Sequence, residues 1–301
     1  MVPDPTFRSY YGRPILHEPV WRSPEIPGYL YLGGLAGASS VIALGAGLTR
    51  RPHLARSGKL AAAAGVGLSL LALVHDLGRP GRFLNMLRVL KPTSPMSVGS
   101  WLLAGYAPMA AAAAGSELTG LAPVVGNAAT VGAALLGPAV ASYTGALVSD
   151  TAVPAWHEGH REMPYVFVGS AAEAAGGLAL LAAPLAEQRP ARRVALAGAA
   201  LELTAARAMD RRMGTAAEAY RRGRAGRLMR LGRAFSMAGA AGAVTVGRRD
   251  RIAAGAAGVA LMAGSACTKW GVFEAGVESA RDPRHTVVPQ RTRADGRAPP
   301  R

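Results

Sequence analysis

Two glutamates, Glu173 and Glu202, stand inside stretches of Ala, Gly, Leu and Val long enough to cross a bilayer. A carboxylate at that depth is costly and faces a polar cavity or a partner group. Two roles suit the pair: a protonated glutamate hydrogen-bonded between helices, or a step in proton movement. Other ionisable residues gather at the ends of such stretches. Asp76, beside His75, and Asp150 close two of them; Arg13 and His17 precede the first; Lys269 and Glu274 lie near the end of the last. The aromatics follow the same pattern. The chain has 5 Phe, 8 Tyr and 4 Trp, and they fall toward one side of the predicted array, with Tyr106 nearest mid-span. A membrane protein ordinarily carries aromatic belts at both interfaces. A one-sided set reads either as a girdle beneath a docked partner or as a pocket for an aromatic or quinoid head group.

Other chemistries fit poorly. A haem held between helices needs His ligands projecting from the spans, and only His75 falls on one, at its edge. An iron–sulfur cluster needs about four thiolates, and the chain has one Cys. His157-Glu158-Gly159-His160 places its His residues three apart, where a zinc-protease helix needs four. No metal site is expected, and no phosphate loop or dinucleotide fingerprint occurs. Any electron-handling role then calls for a diffusible carrier and an external redox partner.

The elements that position these residues are helices in lipid. Of the 301 residues, 50% are apolar and 17% charged, against about 25% charged in soluble proteins. Runs long enough to span the hydrocarbon fall at roughly 28–48, 59–76, 98–115, 123–148, 164–184, 192–209, 232–247 and 252–273. The expected fold is an all-α polytopic membrane protein of about eight transmembrane helices in two four-helix bundles. Residues 1–27 form an N-terminal interfacial segment, 28–276 the transmembrane domain, and 277–301 a polar, disordered tail. The segment before Ile26 lacks the basic start and short apolar core of a secretory signal, so the first helix is expected to stay in the mature protein.

Eight crossings put both termini on one side, the N-side. That side holds about 23 Lys and Arg against about 10 on the other, which makes it cytoplasmic by the positive-inside rule, in a plasma (inner) membrane. The net charge of +16 is explained by such loops, and nucleic acid is not an expected partner.

Three N-side segments carry a family resemblance. The first is Tyr10-Tyr11-Gly12-Arg13-Pro14 with Trp21 following. The second runs from Asp76-Leu77-Gly78-Arg79-Pro80 through Arg82-Phe83-Leu84-Asn85-Met86 to Lys91-Pro92-Thr93-Ser94-Pro95-Met96-Ser97-Val98-Gly99-Ser100-Trp101. The third is Tyr143-Thr144-Gly145 leading to Trp156-His157-Glu158. Together they resemble the NrfD/polysulfide-reductase membrane-subunit family, over a stretch from about Ser9 to Phe273.

The resemblance implies a haem-free, eight-helix anchor for a molybdopterin oxidoreductase, joined to it by a ferredoxin-like subunit with four-iron clusters. Such an anchor binds a quinone, menaquinone or ubiquinone, near the docking face, and a formate dehydrogenase-like complex is the expected setting. His17 and Tyr143 would hold the carbonyl oxygens, and Arg13 would favour a reduced anion. Arg13 stands where the family's polysulfide member has an amide residue, a departure within the site. Arg79, Arg82, Arg88 and Lys91 would dock an acidic ferredoxin-like partner or contact anionic lipid. Apart from the resemblance, the mid-span depth of Glu173 and Glu202 makes them the candidates for a proton pathway. Alone, the chain would be catalytically silent. The rival readings are a structural anchor without a quinone site, a proton-translocating subunit, and a solute transporter.

Overall fold

The structure, a computed structural model, describes residues 16–79 and 81–287. Eight long helices run through them: α1 (Glu25–Leu48), α2 (Pro52–Asp76), α3 (Pro95–Thr119), α4 (Pro123–Ser149), α5 (Met163–Ala182), α6 (Arg189–Arg212), α7 (Gly223–Val244) and α8 (Arg251–Arg281). No strand occurs among the described residues. Proline marks the first turn of α2 through α6, where its missing N–H costs nothing and its fixed φ suits the helix. Asp250 caps α8 by accepting from Ala253 N at 2.6 Å.

Many large apolar side chains point outward along these helices, among them Leu68 and Leu71 on α2, Val131 and Leu135 on α4, and Val259 on α8. In water such a surface would be an aggregation liability; against acyl chains it is solvated. Five helices (α1, α2, α4, α5 and α8) are long and apolar enough to cross a membrane. α6 and α7 carry too much charge to join them. Arginines crowd both ends of α6, and Arg224, Arg227, Arg230 and Arg233 occupy the first half of α7.

α1 packs against α2, α4 and α5; α3 packs on α2 and α4; α5 packs on α6 and α8; and α7 lies along α8. Small residues set the spacing, as expected where lipid supplies no apolar drive between helices. At the α1–α4 crossing, a Cβ on Gly37 would sit 2.4 Å from the Gly137 carbonyl oxygen, so only glycine allows that approach.

Several helix ends differ from the sequence reading, and two of the differences have a clear cause in burial. α7 begins at Gly223 rather than near residue 232, since its arginines line an exposed face while Ala225, Gly226 and Met229 are buried. α8 continues past residue 276 to Arg281, because Ala275, Gly276, Ser279 and Ala280 are buried and Ser279 Oγ accepts from Ala155 N at 3.2 Å. The end of the tail, 288–301, lies outside the described residues.

At the N-side end a charged clamp joins α5 to α6. Arg212 donates through Nε and Nη2 to the two oxygens of Glu162, at 2.7 and 2.6 Å, and Nη2 reaches the Glu158 carbonyl at 2.5 Å. The Arg212 hydrogen bond holds the Glu162 carboxyl below its ordinary 4.5. A depressed carboxylate stabilises the fold above its unfolded value, and that contribution fades as pH falls through the folded value. Arg212→Gln is therefore expected to lower the melting temperature by a few degrees near pH 7, about 1–2 kcal/mol. The gap to wild type should narrow as pH falls below 4.5 and through the lower folded value, in thermal scans of detergent-solubilised protein. A gap independent of pH would show that the clamp acts by packing alone.

Candidate functional site

A cavity of ≈ 400 Å³ opens at the N-side end of the array, among α1 to α4 and the segments joining them. Its walls come from four places in the sequence. The approach to α1 gives Val20 and Trp21, and α1 gives Ile26, Tyr29 and Leu30. The end of α2 and the connection after it give Leu73, Asp76, Leu77, Arg82 and Met86. α3 contributes Met96, Gly99, Ser100 and Leu103, a stripe at helical spacing. α4 contributes Tyr143, Leu147 and Val148. The volume falls in the range of small-molecule sites, as does an apolar lining with a few polar groups.

Three of those polar groups are placed by specific contacts. Tyr29 and Tyr143 are buried and hydrogen-bond hydroxyl to hydroxyl across the α1–α4 crossing. A phenol has one hydrogen and two lone pairs. One hydroxyl of such a pair donates to the other, which leaves one O–H for a third group. Asp76 Oδ1 accepts from Arg22 N at 3.1 Å, tying the N-terminal segment to the end of α2 and holding Trp21 at the rim. Glu25 pairs with His75 at 3.2 Å beside it.

Several residues of the second and third motif strings now have physical explanations, while Tyr10 to Pro14 of the first lie outside the described residues. Gly99 leaves room for the Tyr143 ring: a Cβ there would sit 2.3 Å from Tyr143 Cε2. Ser97 Oγ accepts from Lys91 N and donates to the Val89 carbonyl, both at 2.9 Å, which folds the connection back onto α3. Trp156, on the short helix Pro154–Glu158, is fully buried and donates from Nε1 to the Val272 carbonyl at 2.8 Å. Its ring lies 5.3 Å from Trp21 and 6.0 Å from Phe273. The second and third segments therefore meet at one end of the array, with Trp21 touching both the cavity and Trp156.

The predicted site residues divide as follows. Tyr143 lines the cavity. Arg82, assigned to docking from the sequence, lines it as well. His17 is exposed and is not part of the wall. Arg13 lies outside the described residues. Arg79, Arg88 and Lys91 are exposed and form no ion pair with a described residue. Glu173 and Glu202 are buried between α5 and α6 and are not among this cavity's wall residues. The sequence reading missed Tyr29 as Tyr143's partner and Asp76 as a wall residue. The aromatic at the start of α1 and the Asp opening the second motif were the available signals.

Outward-facing apolar helices, five of them long and apolar enough to cross a bilayer, define an α-helical membrane protein with a cavity at one end of its helices. The family model for polysulphide reductase, NrfD, matches residues 15–207, and the chain belongs to that family. NrfD proteins are membrane subunits of molybdoenzyme complexes, and in general they partner with molybdoenzyme catalytic and iron–sulfur subunits. No curated protein matches the chain.

Proposed function

We propose that this subunit crosses the membrane eight times, in two four-helix groups (α1–α4 and α5–α8), and binds a quinone in the cavity walled by Tyr29, Tyr143 and Asp76. The observation that carries the reading is the position of that cavity. It sits at the end of the array bearing the motif segments, beneath the Arg-rich connection between α2 and α3. A carrier entering from lipid meets apolar walls from four helices, and a soluble partner docked on Arg79, Arg88 and Lys91 would lie next to it. These cations suit an acidic ferredoxin-like surface.

A quinone supplies two-electron chemistry that takes up or releases two protons. The Tyr29–Tyr143 pair offers its spare O–H to one carbonyl oxygen. Asp76, on the α2 wall, is the group able to exchange a proton at the mouth. Arg82 supplies positive charge against a reduced oxygen anion. Trp21 and the methionines Met86 and Met96 give ring and thioether contact to a flat head group.

Tyr143→Phe tests this directly, because it keeps the ring and removes the hydroxyl. In the complex purified with its native partners, quinone turnover should fall at least about 10-fold with subunit composition unchanged. Unimpaired turnover would remove the tyrosine pair from the reaction. His17→Ala run in parallel decides whether the exposed histidine contributes, and turnover equal to wild type would strike it from the site.

A further inference from the structure

A second polar centre lies away from the cavity, where α5 to α8 converge. Glu173 comes from α5, Glu202 from α6, Ser236 from α7, and Thr268 and Lys269 from α8. Glu173 and Ser236 are fully buried, Glu202 is 3% exposed and Lys269 1%. Glycines let the helices meet here: a Cβ on Gly198 would fall 2.5 Å from Glu173 N, and one on Gly169 2.5 Å from Glu202 N. Glu202 Oε1 accepts from Thr268 Oγ1 at 2.5 Å. The Lys269 ammonium reaches the Phe167 carbonyl at 3.4 Å and lies 3.3 Å from the centre of the Phe167 ring.

The remaining oxygens are left over. Both carboxyl oxygens of Glu173, Oε2 of Glu202 and the Ser236 hydroxyl are buried without a hydrogen-bond partner in the described structure. Ser236 and Glu202 lie alongside Glu173, and two carboxylates have no hydrogen to share between them unless one is protonated. A glutamate kept for structure would be saturated with donors, since an unpaired buried carboxylate costs several kcal/mol. Charge counting says what is missing. Two carboxylates and one ammonium sum to one negative charge, and a single added proton makes the cluster neutral.

We propose that Glu173, Glu202 and Lys269 form a proton-loading site that holds one exchangeable proton, with Lys269 as its built-in counter-ion. The groups order themselves along α8. Lys269 is nearest the motif-bearing end, Glu202 sits at Thr268, and Glu173 faces Gly264 roughly 6 Å deeper. The Ser170–Ser265 hydroxyl pair, 2.7 Å apart, extends the polar path between α5 and α8. α1 packs on α5 beside the cluster, where a Cβ on Gly34 would come 3.2 Å from Ala171 Cβ, two residues before Glu173. Tyr29 of the same helix walls the cavity. One helix thus touches both centres, and a charge change in the cavity biases loading of the cluster. That coupling rests on the quinone reading; the proton count does not, so the two fail separately.

Infrared difference spectra of the full chain in nanodiscs, taken through a pH titration, count protonated carboxylic acids. The cluster's share is the signal missing from the Glu173→Gln/Glu202→Gln double variant. The expected shares are one for wild type, two for Lys269→Gln and none for Glu202→Gln, where Glu173 is left balanced by Lys269. Glu202→Gln/Lys269→Gln should return to one, and it keeps the test open if Lys269→Gln alone fails to fold. A protonated Glu173 surviving in Glu202→Gln, or no second proton once Lys269 is removed, would overturn the proposal. Exchanging K⁺ for Na⁺ in the buffer should leave the wild-type count at one. Loss of the acid signal in Na⁺ would reassign the site to a metal cation and equally end the proton reading.

Discussion

Gly99→Val is expected to cut quinone turnover by about 100-fold or more while the subunit still folds and assembles with its partners. Gly99 sits on the cavity stripe of α3, and the Tyr143 ring lies directly on its backbone. Even a methyl group would come 2.3 Å from Tyr143 Cε2 and 2.7 Å from Cδ2. Those are ring atoms, fixed at one end by α4 and at the other by the hydroxyl bond to Tyr29. The ring cannot swing aside without breaking that bond or entering the cavity. Either outcome misplaces the one free O–H of the pair, and a displacement of about 1 Å in a reacting group can cost 100-fold. Gly99→Ala should fall between wild type and Gly99→Val. Gly105→Ala is the control on the same helix, since its Cβ would meet only Leu136 Cδ1 at an ordinary 3.5 Å. It should leave turnover unchanged and add slightly to helix stability. Steady-state quinone turnover and inhibitor titration of the purified complex give the readout. Full activity in Gly99→Val would mean that the cavity is not where the carrier reacts.

The helices were legible because a run of about 20 small and apolar residues has few alternatives in a chain this poor in charge. All eight predicted stretches coincide with long helices. Their ends were less legible where arginine or lysine shares a helix with small buried residues. α2 starts at Pro52 rather than near residue 59, carrying Arg56 and Lys59 inside it, and Lys59 pairs with Glu117 of α3 at 2.9 Å. α7 starts early for the same reason: a long basic side chain can keep its charge at the boundary while its backbone is helical. Hydropathy reads those turns as loop.

The site was legible as a location more than as a set of contacts. Composition pointed to the face with the aromatics, and the motif strings pointed to Tyr143. Tyr29 and Tyr143 are 114 residues apart, and nothing in local periodicity announces that they share a hydrogen bond. Arg82 reads from sequence as one more loop cation; only the fold turns it toward the cavity while Arg79, Arg88 and Lys91 stay outside. The buried glutamates were visible one by one, since a carboxylate in an apolar run is conspicuous. Their convergence with Lys269 depends on how α5, α6 and α8 cross, and the family match ends at residue 207, before Lys269 is reached.

Trp156→Ala should produce the largest loss of stability of any single truncation in the connections, about 3–5 kcal/mol, seen as a fall of about 10 °C in melting temperature. Trp156 is 1% exposed although it lies on a helix of five residues. Its indole rests on Gly276 of α8, where even a Cβ would overlap the ring, donates to the Val272 carbonyl, and lies against Phe273. On its other side it meets Trp21, which lines the cavity. The residue therefore joins the α4–α5 connection, the last helix and the rim of the candidate quinone site. Truncation opens a void among groups held by separate helices, which cannot all close on it. Trp156→Phe separates the contributions. It keeps most of the ring contact and loses the N–H donor, whose acceptor sits in a helix and retains its backbone partner, so the cost should be only about 1 kcal/mol. Turnover should track the same order, because Trp21 loses its backing in Trp156→Ala and keeps it in Trp156→Phe. A Trp156→Ala protein that melts with wild type would show that the short helix is not what ties α8 to the cavity end.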